Sequence, residues 1–161
     1  MSKTELVYTT YIKTTPEKLW EAITNPEFAK QYWGGMVNVS DWRQGSKWEH
    51  QDTNNSNEIM LVGEVKESKP HQRLVLSWSA PDNVENASQV SYDIIALGNG
   101  VVRLDVVHSD LEIGSNMYGG VSKGWPLVLS NMKTYLEGGE AMDIMAILKA
   151  GCDKTSGAKV A

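Results

Sequence analysis

Gly119-Gly120-Val121-Ser122-Lys123-Gly124-Trp125-Pro126-Leu127-Val128-Leu129-Ser130-Asn131-Met132-Lys133-Thr134-Tyr135-Leu136-Glu137-Gly138-Gly139 decides how the rest of the chain is read. Trp125, Val128, Leu129, Met132, Tyr135 and Leu136 recur at helical spacing, which puts a broad apolar stripe on one face. The flanking glycines bracket a helix over residues 119–139. Pro126 lies inside it. A proline removes a backbone donor and crowds the preceding turn, so a kink or a weak first turn is predicted between Gly119 and Gly124. Beyond Gly139, the spacing of Ala141, Ile144, Met145 and Leu148 predicts a short extra helix. Gly151 to Ala161 reads as a frayed tail.

Upstream of this helix the pattern changes period. Met36–Ser40, Lys47–Gln51, Ile59–Lys66, Leu74–Ser79, Gln89–Leu97 and Val101–Ser109 read as strands, separated by glycines, polar tracts and Lys69-Pro70. Gly98-Asn99-Gly100 is the clearest hairpin turn, because these residues tolerate positive φ. Short connections between successive strands imply an antiparallel meander. At the front, Leu6–Ile12 is another strand, with Leu6, Tyr8, Thr10 and Ile12 on one face. Thr15-Pro16-Glu17 then carries a cap, a first-turn proline and an acid at the positive helix end. Asn25-Pro26-Glu27 repeats that signal, so two short helices follow, one burying Leu19, Trp20 and Ile23, the other carrying Phe28, Tyr32 and Trp33. A long helix laid against such a sheet can leave a hollow between them.

The chain has 161 residues and a formal charge of −5. That length fits one domain. The mild acidity argues against nucleic-acid binding, which needs a clustered basic face. Cys152 is the single cysteine, so no internal disulfide forms. Met1-Ser2-Lys3-Thr4-Glu5 lacks the apolar core of a secretion signal. No apolar run approaches the ~20 residues of a membrane span. Together these point to a cytoplasmic protein.

The order of elements resembles the START-like (SRPBCC) superfamily. Thr15-Pro16-Glu17-Lys18-Leu19-Trp20-Glu21-Ala22-Ile23-Thr24-Asn25-Pro26-Glu27, Gly63-Glu64-Val65, Leu74 with Trp78, His108-Ser109, and Gly124-Trp125-Pro126 through Leu136-Glu137 resemble one branch of it. That branch is related to activators of the heat-shock-protein-ninety ATPase, the AHSA-type domain. The resemblance implies an α+β helix-grip fold: a curved antiparallel sheet of seven strands, with two short helices after the first, wrapped around the C-terminal helix. It implies a START-like domain over 1–140, with 141–161 as a short extension, partly helical or disordered. Members bind lipids, hormones or polyketides in an internal cavity, and some are cyclases. The eukaryotic co-chaperone members carry an additional N-terminal domain that contacts the chaperone.

On the faces expected to point inward, Tyr8, Thr10, Trp48, His50, Ile59, Leu61, Leu74, Leu76, Trp78, Val90, Tyr92, Leu104, Val106 and His108 converge. Trp125, Val128 and Leu129 cover them from the helix, and Trp33 sits near an opening. The candidate ligand-binding set is Tyr8, Thr10, Trp33, Trp48, His50, Leu61, Trp78, Tyr92, His108, Trp125 and Leu129. Mostly apolar walls with a few polar tips are usual for a small-molecule pocket. The same side chains also make an ordinary core. His50 and His108 either orient a ligand and move a proton or are simply hydrogen-bonded in place.

Other chemistry is excluded by spacing. His108, Ser109 and Asp110 are adjacent on a strand and alternate in direction, so they form no triad. His50, His71, His108 and Cys152 lack zinc-site spacing, and no cofactor is called for. The leading expectation is binding of a small hydrophobic molecule, lipid-like, polyketide-like or aromatic. The alternatives are a chaperone-interacting protein and a cyclase-like enzyme in which His50 or His108 shuttles a proton. Tyr11 and the C-terminal segment suit a homodimer.

Overall fold

The computed structural model of the protein describes residues 2–150. Its elements are β1 (Lys3–Lys13), α1 (Pro16–Thr24), α2 (Pro26–Tyr32), β2 (Met36–Ser40), β3 (Lys47–Asp52), β4 (Glu58–Lys69), β5 (Arg73–Trp78), β6 (Ser88–Gly98), β7 (Val101–Glu112) and α3 (Asn116–Gly138). Residues 144–150 are also helical. The local signals act as their chemistry dictates. The Thr15 side chain accepts from the Lys18 N–H and that of Asn25 from the Glu27 N–H, each with proline opening the helix. Asn99 and Gly100 turn the β6–β7 hairpin with φ of 55° and 74°.

The seven strands form one antiparallel sheet in the order β1-β7-β6-β5-β4-β3-β2. β2 to β7 are a meander, and β1 adds beside the last strand. The chain must therefore travel from one sheet edge to the other between β1 and β2, and α1 with α2 makes that passage. α3 packs against β1, β7 and α2, burying Trp125, Val128, Leu129, Asn131 and Met132. This is the expected α+β helix-grip architecture.

β4 pairs with β3 along its first half and with β5 along its second. Gly63 lies opposite Trp48, whose indole N–H donates to the Ser77 carbonyl at 2.8 Å. A Cβ at Gly63 would fall inside the contact radius of both that carbonyl and that indole nitrogen. The glycine is what lets three strands close around the Trp48 hydrogen bond.

The start of the last helix and the direction of Ile59 need correction. The last helix begins at Asn116, where the Ser115 side chain accepts from the Tyr118 N–H. The glycine-rich stretch is thus inside a helix that runs unbroken through Pro126, not a weak preface to it. Ile59 is 45% exposed rather than inward. A bulge skips a residue between the His50–Leu61 and Gln51–Ile59 pairs, so the period-two pattern is reset there.

The segment after α3 is tied to that helix by one buried polar side chain. Asn131 Nδ2 donates to the carbonyls of Tyr32 and Met142, and its Oδ1 accepts from the Met142 N–H. Ile144 then packs into the same core as α3. Met145 and Leu148, expected on that helix's apolar side, are exposed. The tail from Gly151, with Cys152, lies outside the described residues.

Candidate functional site

The inner surface carries one continuous aromatic cluster. Trp78 on β5 is its hub: Trp48 lies 5.0 Å away between ring centroids, His108 5.5 Å, Trp125 5.6 Å and His50 6.3 Å. Trp33, at the end of α2, packs at a tilt of 59° against His50 at 4.9 Å and reaches Trp125 at 5.8 Å. Tyr92 meets Trp125 edge-on at 6.1 Å. Such pairs stabilise by about 0.5–1.5 kcal/mol each beyond area burial. They fix α3 over the sheet by ring geometry as well as by burial.

Both histidines are locked, and separately. Trp125 Nε1–H donates to His108 Nδ1 at 3.0 Å. The proton of His108 therefore sits on Nε2, which donates to Ser88 Oγ at 2.7 Å. Ser88 passes the bond on to the Trp78 carbonyl. His50 Nδ1–H donates to Asn38 Oδ1 at 2.7 Å, while Asn38 Nδ2 is turned to the Ile23 carbonyl. Burial pushes both imidazole pKa values down to about 4. Both rings are neutral at pH 7, and the indole of Trp78 stands between them. The two do not form a proton relay.

A cleft of about 920 Å³ opens beside this cluster, between the β5–β6 loop, the ends of β3 and β4, and the first turns of α3. His50, Leu61 and Trp78 form its inner wall. Met36, Met60 and Met117 add flexible apolar surface, and Asn83, Asn86 and Asn116 line its polar side. It adjoins a smaller hollow of about 170 Å³ lined also by Trp33, Trp125 and Val128. α3 presents Gly120 and Gly124 on this side, where an added Cβ would meet nothing within 4 Å.

Of the expected site residues, Trp33, His50, Leu61, Trp78 and Trp125 line these spaces. Trp48, Tyr92 and Leu129 are buried in the core cluster behind them, and His108 is fully buried beside it. Tyr8 and Thr10 are half-buried on the inner face of β1 and line neither space. Sequence reasoning missed the methionines, the asparagines of the β5–β6 loop and the two helical glycines. The glycines were visible as three small residues, Gly119, Gly120 and Gly124, ahead of a helical stripe. Two buried polar groups lack a partner among the described residues on this inner surface: Trp78 Nε1–H and the Tyr92 hydroxyl. Burial also raises the pKa of Tyr92. No group of acids, histidines or cysteines among the described residues could hold a metal, and none of their helices is long and apolar enough to cross a membrane.

Known proteins give a consistent picture of the fold. An HSP90 activator from Plasmodium falciparum has a similar structure, with a TM-score of 0.69 at 20% identity over 82% of this chain and 95% of its own. The Aha1 dimer from Colwellia psychrerythraea gives 0.69 at 18% identity, over 86% and 99% of the two chains. A protein from Cytophaga hutchinsonii gives 0.66 at 26% identity, over 84% and 96%. No curated protein sequence matches this chain. The family model described as activator of Hsp90 ATPase homolog 1-like protein matches residues 13–137, and the chain belongs to that family.

Proposed function

We propose that this protein acts by docking on another protein, an ATP-hydrolysing chaperone of the Hsp90 class, and modulating its turnover. The observation that carries this reading is the family match across residues 13–137. The likeness to an HSP90 activator over nearly all of that protein's chain supports it. The outer face of β1 offers a surface of the right kind, with Val7 and Tyr11 exposed. At the C-terminal end of this edge strand, Lys133 Nζ donates to the Tyr11 carbonyl and Glu137 Oε2 accepts from the Lys13 N–H. α3 thereby blocks strand addition there, which favours docking through side chains of the sheet face. Titration calorimetry against a purified chaperone tests the reading: a saturable complex that weakens with Val7→Lys and Tyr11→Lys supports it. The dimeric Aha1 structure extends the same reading to self-association, tested by sedimentation at micromolar concentration. A homodimer is expected, and a monomer at every concentration removes it.

A second reading rests on the cleft. Its volume and largely apolar lining suit a small, mostly hydrophobic molecule, and Asn83, Asn86 and Asn116 offer it polar partners. Burial of roughly 25 cal/mol per Å² of apolar area drives such binding, less the cost of ordering the ligand. Six tryptophans make the protein its own probe. Saturable quenching by a small aromatic ligand supports the reading, and a linear response to every ligand sinks it. Neither reading uses the two histidines as a proton relay: burial holds both rings uncharged at pH 7, and the Trp78 indole stands between them.

A further inference from the structure

The 17 residues lining the main cleft include two formal charges at neutral pH, and both are negative. Asp82 stands on the β5–β6 loop and Glu112 at the end of β7. Neither takes part in an ion pair among the described residues. Lys3 lies opposite Glu112 in the β1–β7 register, but it is outside the lining and makes no ion pair with it. His50 is the remaining titratable lining group, and it is uncharged at pH 7 because burial holds its pKa at about 4.

One feature favours an anion: α3 begins at the cleft, with Ser115 and Asn116 in the lining. A helix N-terminus is worth roughly half a positive charge. Ser115 already accepts from the Tyr118 N–H, and two carboxylates outweigh that half charge. An anionic headgroup entering here would lose its hydration with no cation to receive it and would meet like charge. The body of the ligand faces different chemistry. Met36, Met60 and Met117 present thioethers, which adapt in shape and contact ring edges favourably.

We propose that the cleft selects by charge, taking an uncharged or cationic molecule with a flat aromatic body and rejecting carboxylate- or sulfonate-bearing ligands of the same shape. This rests on the second reading above, that the cleft holds a small molecule. The ligand's polar groups would be neutral oxygens or hydroxyls, matched to the asparagines of the lining.

A pair of dyes with one skeleton tests it: phenylnaphthylamine, which is neutral, and its sulfonated counterpart, anilinonaphthalene sulfonate. Both are titrated at low salt, where surface charge is least screened, against the protein, Gly120→Leu and the double variant Asp82→Asn with Glu112→Gln. The neutral dye is expected to saturate. The sulfonate is expected to bind at least about tenfold more weakly, a difference of about 1.4 kcal/mol. The double variant should narrow that gap several-fold, and Gly120→Leu should abolish binding of the neutral dye. Equal or tighter binding of the sulfonate, or a gap unchanged in the double variant, overturns the charge rule while leaving the cleft as a binding site. Failure of both dyes to saturate, or binding indifferent to Gly120→Leu, overturns the cleft reading and the charge rule with it.

Discussion

Trp125 on α3 donates its indole N–H to Nδ1 of His108 on β7, and that single bond determines which nitrogen of the buried imidazole carries the proton. Helix, β7, β6 and β5 are then joined by one run of hydrogen bonds through Ser88 to the Trp78 carbonyl. Trp125→Phe keeps the ring and removes the donor. It leaves a buried acceptor unpaired, which costs about 1–3 kcal/mol. Urea unfolding should show that loss, with the fold intact by circular dichroism. An unchanged midpoint would mean the bond contributes nothing to stability.

The two buried histidines set an acid limit. Burial holds each at a folded pKa of about 4, against the ordinary histidine value of 6.5. The unfolded chain therefore takes up protons on these groups before the folded one does. Their unfavourable contribution is absent above about pH 6.5 and grows as pH falls toward 4, at about 1.4 kcal/mol per pH unit for each ring. Below about pH 4 it levels off. Stability measured in urea should decline over that window, and the ring resonances of His50 and His108 should not titrate above pH 5. A midpoint near 6.5 for either ring would contradict the burial argument.

Two glycines should respond oppositely to the same substitution. Gly63→Ala drives a methyl group into the Ser77 carbonyl and the Trp48 indole, and the strands must part to admit it. The expected cost is about 3 kcal/mol or more. Gly120→Ala places its methyl group in open space within a helix and should raise stability by up to about 1 kcal/mol. Thermal unfolding of the two variants checks both signs at once.

Asn131 is fully buried and ties α3 to the Tyr32 and Met142 backbones with three hydrogen bonds. Asn131→Ala should cost about 3 kcal/mol through the groups left unpaired. It should also release the 140–150 segment, so that limited proteolysis cuts there well before the rest of the chain. An unaltered cleavage pattern would show that Ile144 alone holds the segment.

The fold was legible because its signals are local and repeated. Thr15-Pro16 and Asn25-Pro26 mark helix starts, Asn99-Gly100 marks a turn, and the stripe from Trp125 to Leu136 marks the gripped helix. The site was legible only in part. Period-two alternation places Trp78 and His50 correctly, but it cannot foresee the bulge beside His50, which turns Ile59 outward and brings Met60 to the cleft. Nor can alternation tell a core histidine from a lining one. His108 and His50 differ in which partners surround them, and those partners come from distant parts of the chain. The cleft and the hollow beside it run past bare helix backbone at Gly120 and Gly124, and hydrophobic patterns do not register empty space.

ATP turnover by a purified Hsp90 chaperone, measured with and without saturating amounts of this protein, tests the proposed function most directly. The account predicts a several-fold change in rate that is lost with Tyr11→Lys. An identical rate at every concentration, with no complex detected in the same mixture, would contradict it.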